Sequence, residues 1–247
     1  MNGLSKEDLE RYDRQIRIPG FGIEGQLKLQ RAKVLVAGLG GLGSPASIYL
    51  AAAGVGKLLL IDREVVELSN LNRQILHWDK DVSRRKVDSA VEKLRQLNPN
   101  ISIEGLAVQI NEDNIYDFVK EVDLVVDGMD NFKTRFIINE ACVKLGKPFI
   151  HGAVYGLEGR LMTIIPRKGP CLRCLIPTEP PEVKPFPVLG ATPAVIASLQ
   201  VIEAIKVLTG IGEPLVGKLL VFDGLPMSFH EVIVKRSPKC PVCSDIR

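Results

Sequence analysis

The chain has 247 residues, 46% of them hydrophobic and 25% charged, with a net charge of +3; this is enough to bury a substantial core and is ordinary for a soluble globular protein. No block of like charges marks a disordered tail or a basic arm, and the near-neutral balance offers no electrostatic footprint for nucleic acid. Met1 to Arg17 is charged and lacks the apolar stretch of a secretory signal, which argues against export and makes a reducing cytoplasm the expected setting.

In chain order, the first two-thirds reads as βαβ units. Lys33 to Ala37 is a short apolar strand, Ser44 to Ala53 a small-residue helix, and Lys57 to Ile61 a second strand ending at Asp62. Arg84 to Leu97 carries helical spacing through Val87, Val91, Leu94 and Leu97, and Asn98-Pro99-Asn100 ends it. Val122 to Val126 predicts a buried strand whose end delivers Asp127 and Asp130, where open parallel sheets place ligands. Thr134 to Leu145 follows as a helix, Pro148 to His151 as a strand, and Glu158 to Ile165 alternates as an antiparallel strand. Pro177 to Pro187 is a loop, Pro193 to Leu208 a long helix, and Lys218 to Phe222 and Met227 to Val234 closing strands. The fold class is therefore α/β: a Rossmann-like, mostly parallel sheet with helices on both faces, extended by antiparallel strands. Of two uncharged runs, Val34 to Gly56 is long enough to span a membrane and Pro185 to Ile202 nearly so. The first contains six Gly, Pro45 and two Ser, and the second contains Pro187 and Pro193, so neither is expected to span.

The most informative local pattern is the turn Gly38, Gly40, Gly41 and Gly43 between a predicted strand and a predicted helix. Glycines at this spacing allow a tight turn, close backbone approach to phosphate and close helix packing. Asp62, 19 positions after Gly43 at a strand end, is placed to accept hydrogen bonds from ribose, with a helix-capping Asp as the bland alternative. Asn70-Leu71-Asn72-Arg73-Gln74 reads as a functional loop. Arg73 offers a planar fork for phosphate oxygens and Lys86 a compact charge, a pair suited to a triphosphate and so to ATP rather than NAD. A lysine near a helix start is ordinarily solvated, so Lys86 gains meaning only from its neighbours in the pattern. Asp130 could hold Mg²⁺, which binds through few carboxylates plus substrate phosphates; its bland alternative is capping of the helix that follows. His77, His151 and His230 have neither metal spacing nor a visible nucleophile partner and are read as packed or surface residues.

Cys171-Leu172-Arg173-Cys174 and Cys240-Pro241-Val242-Cys243 form two Cys-x-x-Cys units. One alone could be a redox motif, but the pair reads as a structural Zn²⁺ site of four thiolates, stapling the C-terminus to the middle of the chain. Cys142, in a predicted helix, is read as a buried small hydrophobe.

These residues resemble the ThiF, MoeB and HesA family of ubiquitin-activating-enzyme-like adenylyltransferases. The resemblance runs from Arg11-Tyr12-Asp13-Arg14-Gln15 through Gly38 to Ser44, Ser69 to Gln74, Lys86, Asp127 to Asn131, and both cysteine pairs, so it covers nearly the whole chain. It implies a single adenylation domain, with residues 1–32 a helical arm, 33–152 a nucleotide-binding half and 153–247 a carrier-binding and zinc half. It implies that the enzyme adenylates the C-terminal Gly-Gly carboxylate of a small β-grasp sulfur-carrier protein, for sulfur transfer in molybdopterin or thiamine biosynthesis. Arg14, Arg73, Lys86 and Asp130 would be catalytic, and Gly38, Gly40, Gly41, Gly43, Asp62, Ser69, Asn70, Asn72, Gln74 and Asn131 would complete the ATP site. Arg14 in the family reaches the other subunit's site, implying a homodimer. Many relatives carry a further cysteine after the first zinc pair; Leu175 to Lys239 contains none, which puts transfer through an enzyme thiol in doubt. There is also no room for a fused sulfurtransferase domain, so sulfur is expected from a separate donor.

Two other readings compete. An NAD-dependent oxidoreductase accounts for Gly38 to Asp62 but leaves the cationic residues idle. A related ATP-dependent tRNA-modifying dehydratase shares the nucleotide loop but typically lacks the zinc pairs.

Overall fold

The computed structural model describes residues 3–181 and 187–245. In chain order its elements are α1 (Lys6–Arg11), α2 (Asp13–Ile16), α3 (Gly22–Arg31), β1 (Lys33–Ala37), α4 (Gly43–Ala52), β2 (Lys57–Ile61), α5 (Lys86–Leu97), β3 (Ser102–Leu106), α6 (Ile115–Lys120), β4 (Leu124–Asp127), α7 (Phe132–Leu145), β5 (Phe149–Tyr155), β6 (Glu158–Ile164), α8 (Leu172–Leu175), α9 (Ala191–Thr209), β7 (Lys218–Asp223) and β8 (Ser228–Ile233). All eight strands share one sheet in the order β3-β2-β1-β4-β5-β6-β7-β8. The pairs from β3 to β5 are parallel, and those from β5 to β8 antiparallel. This is the expected Rossmann-like sheet with its antiparallel extension.

Strand period sets the two layers, because alternate residues point to opposite faces. Val34, Val36, Leu58, Leu60, Leu124 and Val126 join residues of α4, α5 and α9 in one core. Leu35, Ala37, Leu59, Ile61 and Val125 meet α6, α7 and the cysteine pairs on the other. Burial on both faces explains why these strands read as unbroken apolar runs.

Several boundaries differ from the sequence reading for identifiable reasons. Helix α5 starts at Lys86 rather than Arg84, because Arg85 is held extended in an antiparallel bridge to Val65. Strand β4 runs over Leu124–Asp127, so Asp127 belongs to the sheet. Helix α7 begins at Phe132, since the Asn131 side chain accepts the Thr134 N–H at 2.9 Å; capping falls to Asn131 and not to Asp130. Strand β5 extends to Tyr155 because β6 pairs along its full length, from Phe149 opposite Ile164 to Tyr155 opposite Glu158. Of the Pro-rich stretch from Pro177 to Pro187, residues 182–186 lie outside the described residues.

The two apolar runs resolve differently. Val34 to Gly56 becomes β1, the glycine turn and α4. The second run contributes to α9, where Pro193 sits at the third position and does not break the helix, because the first turn needs no donor there. Among the described residues α9 is long and apolar enough to cross a membrane. Here it buries Ile196, Ala197, Val201 and Ala204 in the core and carries buried Gln200 and Glu203.

The helical arm is tied to the C-terminal end of α4. The Asn98 Nδ2 group donates to the Ala51 carbonyl and to the buried Tyr12 hydroxyl, each at 2.8 Å. Gln15 and Gln26 both donate to the Ala53 carbonyl, at 2.9 and 3.1 Å. These bonds satisfy carbonyls that a helix end leaves open, and they fix the segment bearing Arg14.

The four cysteines converge as their spacing predicted. Cys171 approaches Cys240 at 3.5 Å and Cys174 approaches Cys243 at 3.4 Å, and all four Sγ atoms lie within 4.8 Å of one another. Four thiolates gathered this closely are the donor set of structural tetrahedral zinc, and the cluster could hold one ion. Burial pushes the Cys171 thiol up, and burial with the neighbouring thiols pushes Cys243 up to about 11; a dication would supply the charge that favours thiolates. Metal analysis of the purified protein should find one zinc per chain. Chelation should lower Tm markedly, since structural zinc is worth about 10–16 kcal/mol in small peptides; unchanged Tm after complete metal removal would refute the staple.

Candidate functional site

Strands β1 and β4 are neighbours, yet the chain leaves β1 toward β2 and β4 toward β5. This divergence is the switch point at which open α/β sheets bind ligands. A cavity of about 1340 Å³ opens there. It gathers Gly38, Gly40, Gly41, Asp62, Ser69, Asn70, Arg73, Gln74, Lys86, Asp130 and Asn131, eleven of the fourteen nucleotide and catalytic residues expected from sequence. Gly43, Asn72 and Arg14 are absent from its lining.

The glycine turn is shaped by close packing. Gly38 has φ +89°, and a side chain there would strike the Gly128 carbonyl at 2.7 Å. Gly43 is the first residue of α4 and takes the helix-packing role: a Cβ there would lie 1.8 Å from the Gly38 carbonyl. At Gly40 the nearest atom to such a Cβ would be Gln74 Nε2 at 3.7 Å, an ordinary contact. The protein itself does not require glycine at 40, and the space fits a phosphate approaching the backbone.

Asp62 follows β2 directly and faces the turn. Its Oδ2 accepts the Leu39 N–H at 2.7 Å and its Oδ1 the Glu64 N–H at 2.8 Å. It therefore ties strand end to turn and caps no helix. Burial raises its pKa, opposed by Lys86 and these two amides. Carboxylate oxygens accept more than one bond each, so acceptor capacity toward a ribose remains.

The loop from Glu67 places Ser69, Asn70 and Arg73. Asn70 is buried and accepts the Glu67 N–H at 3.1 Å, closing a short 3₁₀ turn. Arg73 donates to the Ser69 carbonyl and to Asn72 Oδ1, each at 2.9 Å. Asn72 thus contacts Arg73 from outside the cavity lining. Gln74 is buried with its Oε1 unpartnered, an acceptor at the cavity wall.

Lys86 departs from the expected solvated lysine. Its side chain is 3% exposed, and its Nζ lies 2.7 Å from Glu64 Oε2. The first position of a helix disfavours a cation, so Glu64 compensates for a charge the helix dipole opposes. Sequence reading missed Glu64 because the pair closes across 22 residues.

On the opposite wall, Asp130 is exposed and, among the described residues, accepts only from Asn131 Nδ2, at 3.1 Å. Beneath it lies a buried charge cluster also missed from sequence. Asp127 Oδ2 accepts from Arg135 Nε at 3.1 Å and from His151 Nδ1 at 2.7 Å. Burial alone would raise the Asp127 carboxyl, but Arg135 and His151 hold it below the ordinary range. Burial pushes His151 down, leaving a neutral ring that donates to the ionised acid. His77 is likewise buried and held neutral, pushed down to about 4, while His230 is exposed. No cysteine lines the cavity among the described residues. Cys142 is fully buried in α7, and burial pushes its thiol up.

Arg14 sits in α2, exposed to solvent and away from this cavity. The structure does not bring it to the site of its own chain.

Comparison with known proteins adds three likenesses. A "Sulfur carrier protein adenylyltransferase" of Thermus thermophilus is 45% identical, covering 98% of this chain and 93% of the relative. The "SAMP-activating enzyme E1" of Haloferax volcanii is 43% identical, over 98% of this chain and 91% of its own. Among solved structures, E. coli MccB with ATP superimposes with a TM-score of 0.84 at 27% identity, over 95% of this chain and 75% of that one. The ThiF family profile matches residues 12–242, and with these relatives it shows that the chain belongs to the ThiF family.

Proposed function

We propose that this protein is an adenylyltransferase that uses ATP to activate the C-terminal Gly-Gly carboxylate of a small β-grasp sulfur-carrier protein. The observation that carries the reading is the convergence of Arg73, Lys86 and Asp130 with the glycine turn in one cavity. An NAD site would leave these two cations and the exposed carboxylate without work.

The reaction suits this inventory. A carboxylate oxygen attacks the α-phosphorus, a bond forms between them, and the bond from that phosphorus to the bridging oxygen breaks, releasing pyrophosphate. The attacking group comes from the substrate, so the enzyme needs alignment and charge neutralisation rather than a nucleophile of its own. The turn amides and Arg73 bind phosphate oxygens, Lys86 exchanges its Glu64 contact for a phosphate, and Asp62 orients the ribose. Asp130, exposed at the cavity with one bond from Asn131, is the carboxylate assigned to Mg²⁺, while Asp62 is tied to two backbone amides. When bound, that ion would neutralise charge on the phosphates and the departing pyrophosphate. Arg14 serves the second site of a homodimer, and sulfur arrives from a separate donor in the cytoplasm.

Pyrophosphate exchange should depend on ATP with Mg²⁺ and on a carrier, with NAD inert; absence of exchange with every carrier of the same genome would refute the reading. Alanine at Arg73, Lys86 or Asp130 should each slow exchange about a hundredfold or more, as loss of one preorganised contact costs about 2.7–4 kcal/mol. Near-normal exchange in Lys86→Ala or Asp130→Ala would remove their assigned roles.

An inactive Arg14→Ala subunit mixed with a Lys86→Ala subunit should regain activity, since one site of each heterodimer keeps both residues. If confirmed heterodimers stay inactive, Arg14 acts in its own chain.

Carrier and ATP run on non-reducing gels should give no obligatory covalent adduct, because the described thiols are either clustered with one another or, at Cys142, sealed in the core. A kinetically competent adduct lost in Cys142→Ala would make that thiol catalytic.

A further inference from the structure

The loop from Gly128 to Asn131 lines an open cavity, but its backbone is held from below by charged groups that the adenylation chemistry does not use. Arg135, one turn into α7, is 5% exposed. Its Nη2 donates to the Met129 carbonyl at 2.6 Å and to the Gly152 carbonyl at 2.9 Å, while its Nε meets Asp127 Oδ2 at 3.1 Å. One guanidinium thus joins the loop, the neighbouring strand β5 and the buried carboxylate. Asp127 returns the grip: its Oδ1 accepts the Met129 N–H at 2.9 Å. His151 holds the other oxygen, and Gln200 on α9 donates to the Asp127 carbonyl at 2.8 Å and to that of Ile150 at 3.0 Å. The Gly128 N–H donates to the Ala37 carbonyl at 2.7 Å. The bonds to Gly128 and Met129 end one or two residues short of Asp130, whose side chain among the described residues accepts one hydrogen bond, from Asn131.

We propose that Arg135, anchored by Asp127 and His151, is a positioning residue: it fixes the backbone of residues 128–131 before any ligand binds and so aims the Asp130 carboxylate at the metal accompanying the nucleotide. The inference rests on the adenylation reading for what Asp130 holds, but not for the rigidity of the loop. A buried pair is an expensive way to secure a turn, because two charges must be desolvated. The expense makes sense where a carboxylate has to meet a small octahedral ion with little tolerance in direction. A guanidinium suits the task because its planar fork serves three acceptors at once, which an ammonium cannot do in the same geometry.

Two measurements test it. In the ligand-free wild-type protein, hydrogen exchange should find the Gly128 and Met129 amides strongly protected; exchange at the rate of an unstructured loop would overturn the proposal whatever the enzyme's activity. The second uses Mn²⁺ with α,β-methylene ATP, followed by electron paramagnetic resonance, in wild type and in Arg135→Lys with its fold checked by circular dichroism. Loss of an outer-sphere partner typically weakens metal binding about 10–100-fold, so Arg135→Lys should bind Mn²⁺ at least tenfold more weakly. Its affinity for the analogue in EDTA should change less than twofold. The same substitution in an Asp130→Ala background should add nothing to the loss of Mn²⁺ affinity. Unchanged Mn²⁺ affinity, or an equal loss of nucleotide affinity without metal, would overturn the positioning role. Should Arg135→Lys not fold, His151→Gln is measured in its place against the same outcomes. A wild-type protein with protected loop amides that binds no Mn²⁺ with the analogue would instead refute the metal role of Asp130 and, with it, what the loop is held for.

Discussion

The site depends on how closely two strand ends can approach. Strands β1 and β4 lie side by side, and the turns leaving them touch through backbone alone: a Cβ on Gly128 would sit 2.5 Å from the Gly38 carbonyl, and one on Gly38 would meet the Gly128 carbonyl. A methyl group at either position would force the turns apart. The β4 turn carries Asp130, and the β1 turn opens the helix whose N-terminus faces the cavity. Separating them would change the distance between a carboxylate and a set of amide donors, which is the dimension a nucleotide with its metal has to span.

Charge is divided around this contact in two ways. Below the surface, Asp127 is surrounded by Arg135, His151 and backbone groups, and Asp81 is paired with Lys93, which is itself bonded to Ser89. Such buried pairs add little net stability, and removing one partner typically costs about 3–5 kcal/mol because the other is left uncompensated. At the cavity wall the partners are weaker. Glu64, which holds Lys86, is 55% exposed, and among the described residues Arg73 is engaged by a carbonyl and an amide oxygen. Interior charges are therefore locked, whereas those at the wall can change partners.

The sequence made this division visible only in part. The glycine turn, Asp62, the loop to Gln74 and the cysteine pairs were legible because each is a local pattern with a physical reason for its spacing. Strands β1 and β2 were legible because burial on both faces makes them continuously apolar. Strand β3 was missed: it is an edge strand of Ser-Ile-Glu-Gly-Leu in which only Ile103 is buried. Helix α6, at six residues, is too short to show a period. Arg135, Gln200 and Glu64 could not be found this way, because each owes its meaning to a partner between 8 and 73 residues distant that only the fold brings near.

The cysteine cluster reaches further than its own surroundings. Each cross-pair closes a loop of 69 residues, and α9 lies inside that loop. Pro193 of α9 would touch a side chain at Gly41, and Gln200 grips the end of β4. A metal held by these cysteines would therefore tie together the two ends of a segment that contains a helix lining the cavity. Unlike a disulfide, such a clamp opens when metal is withdrawn or thiolates are protonated, without any change in redox state. Zinc supply would then govern how firmly the back wall of the site is held, and partial depletion would show as looseness at the cavity before the sheet comes apart.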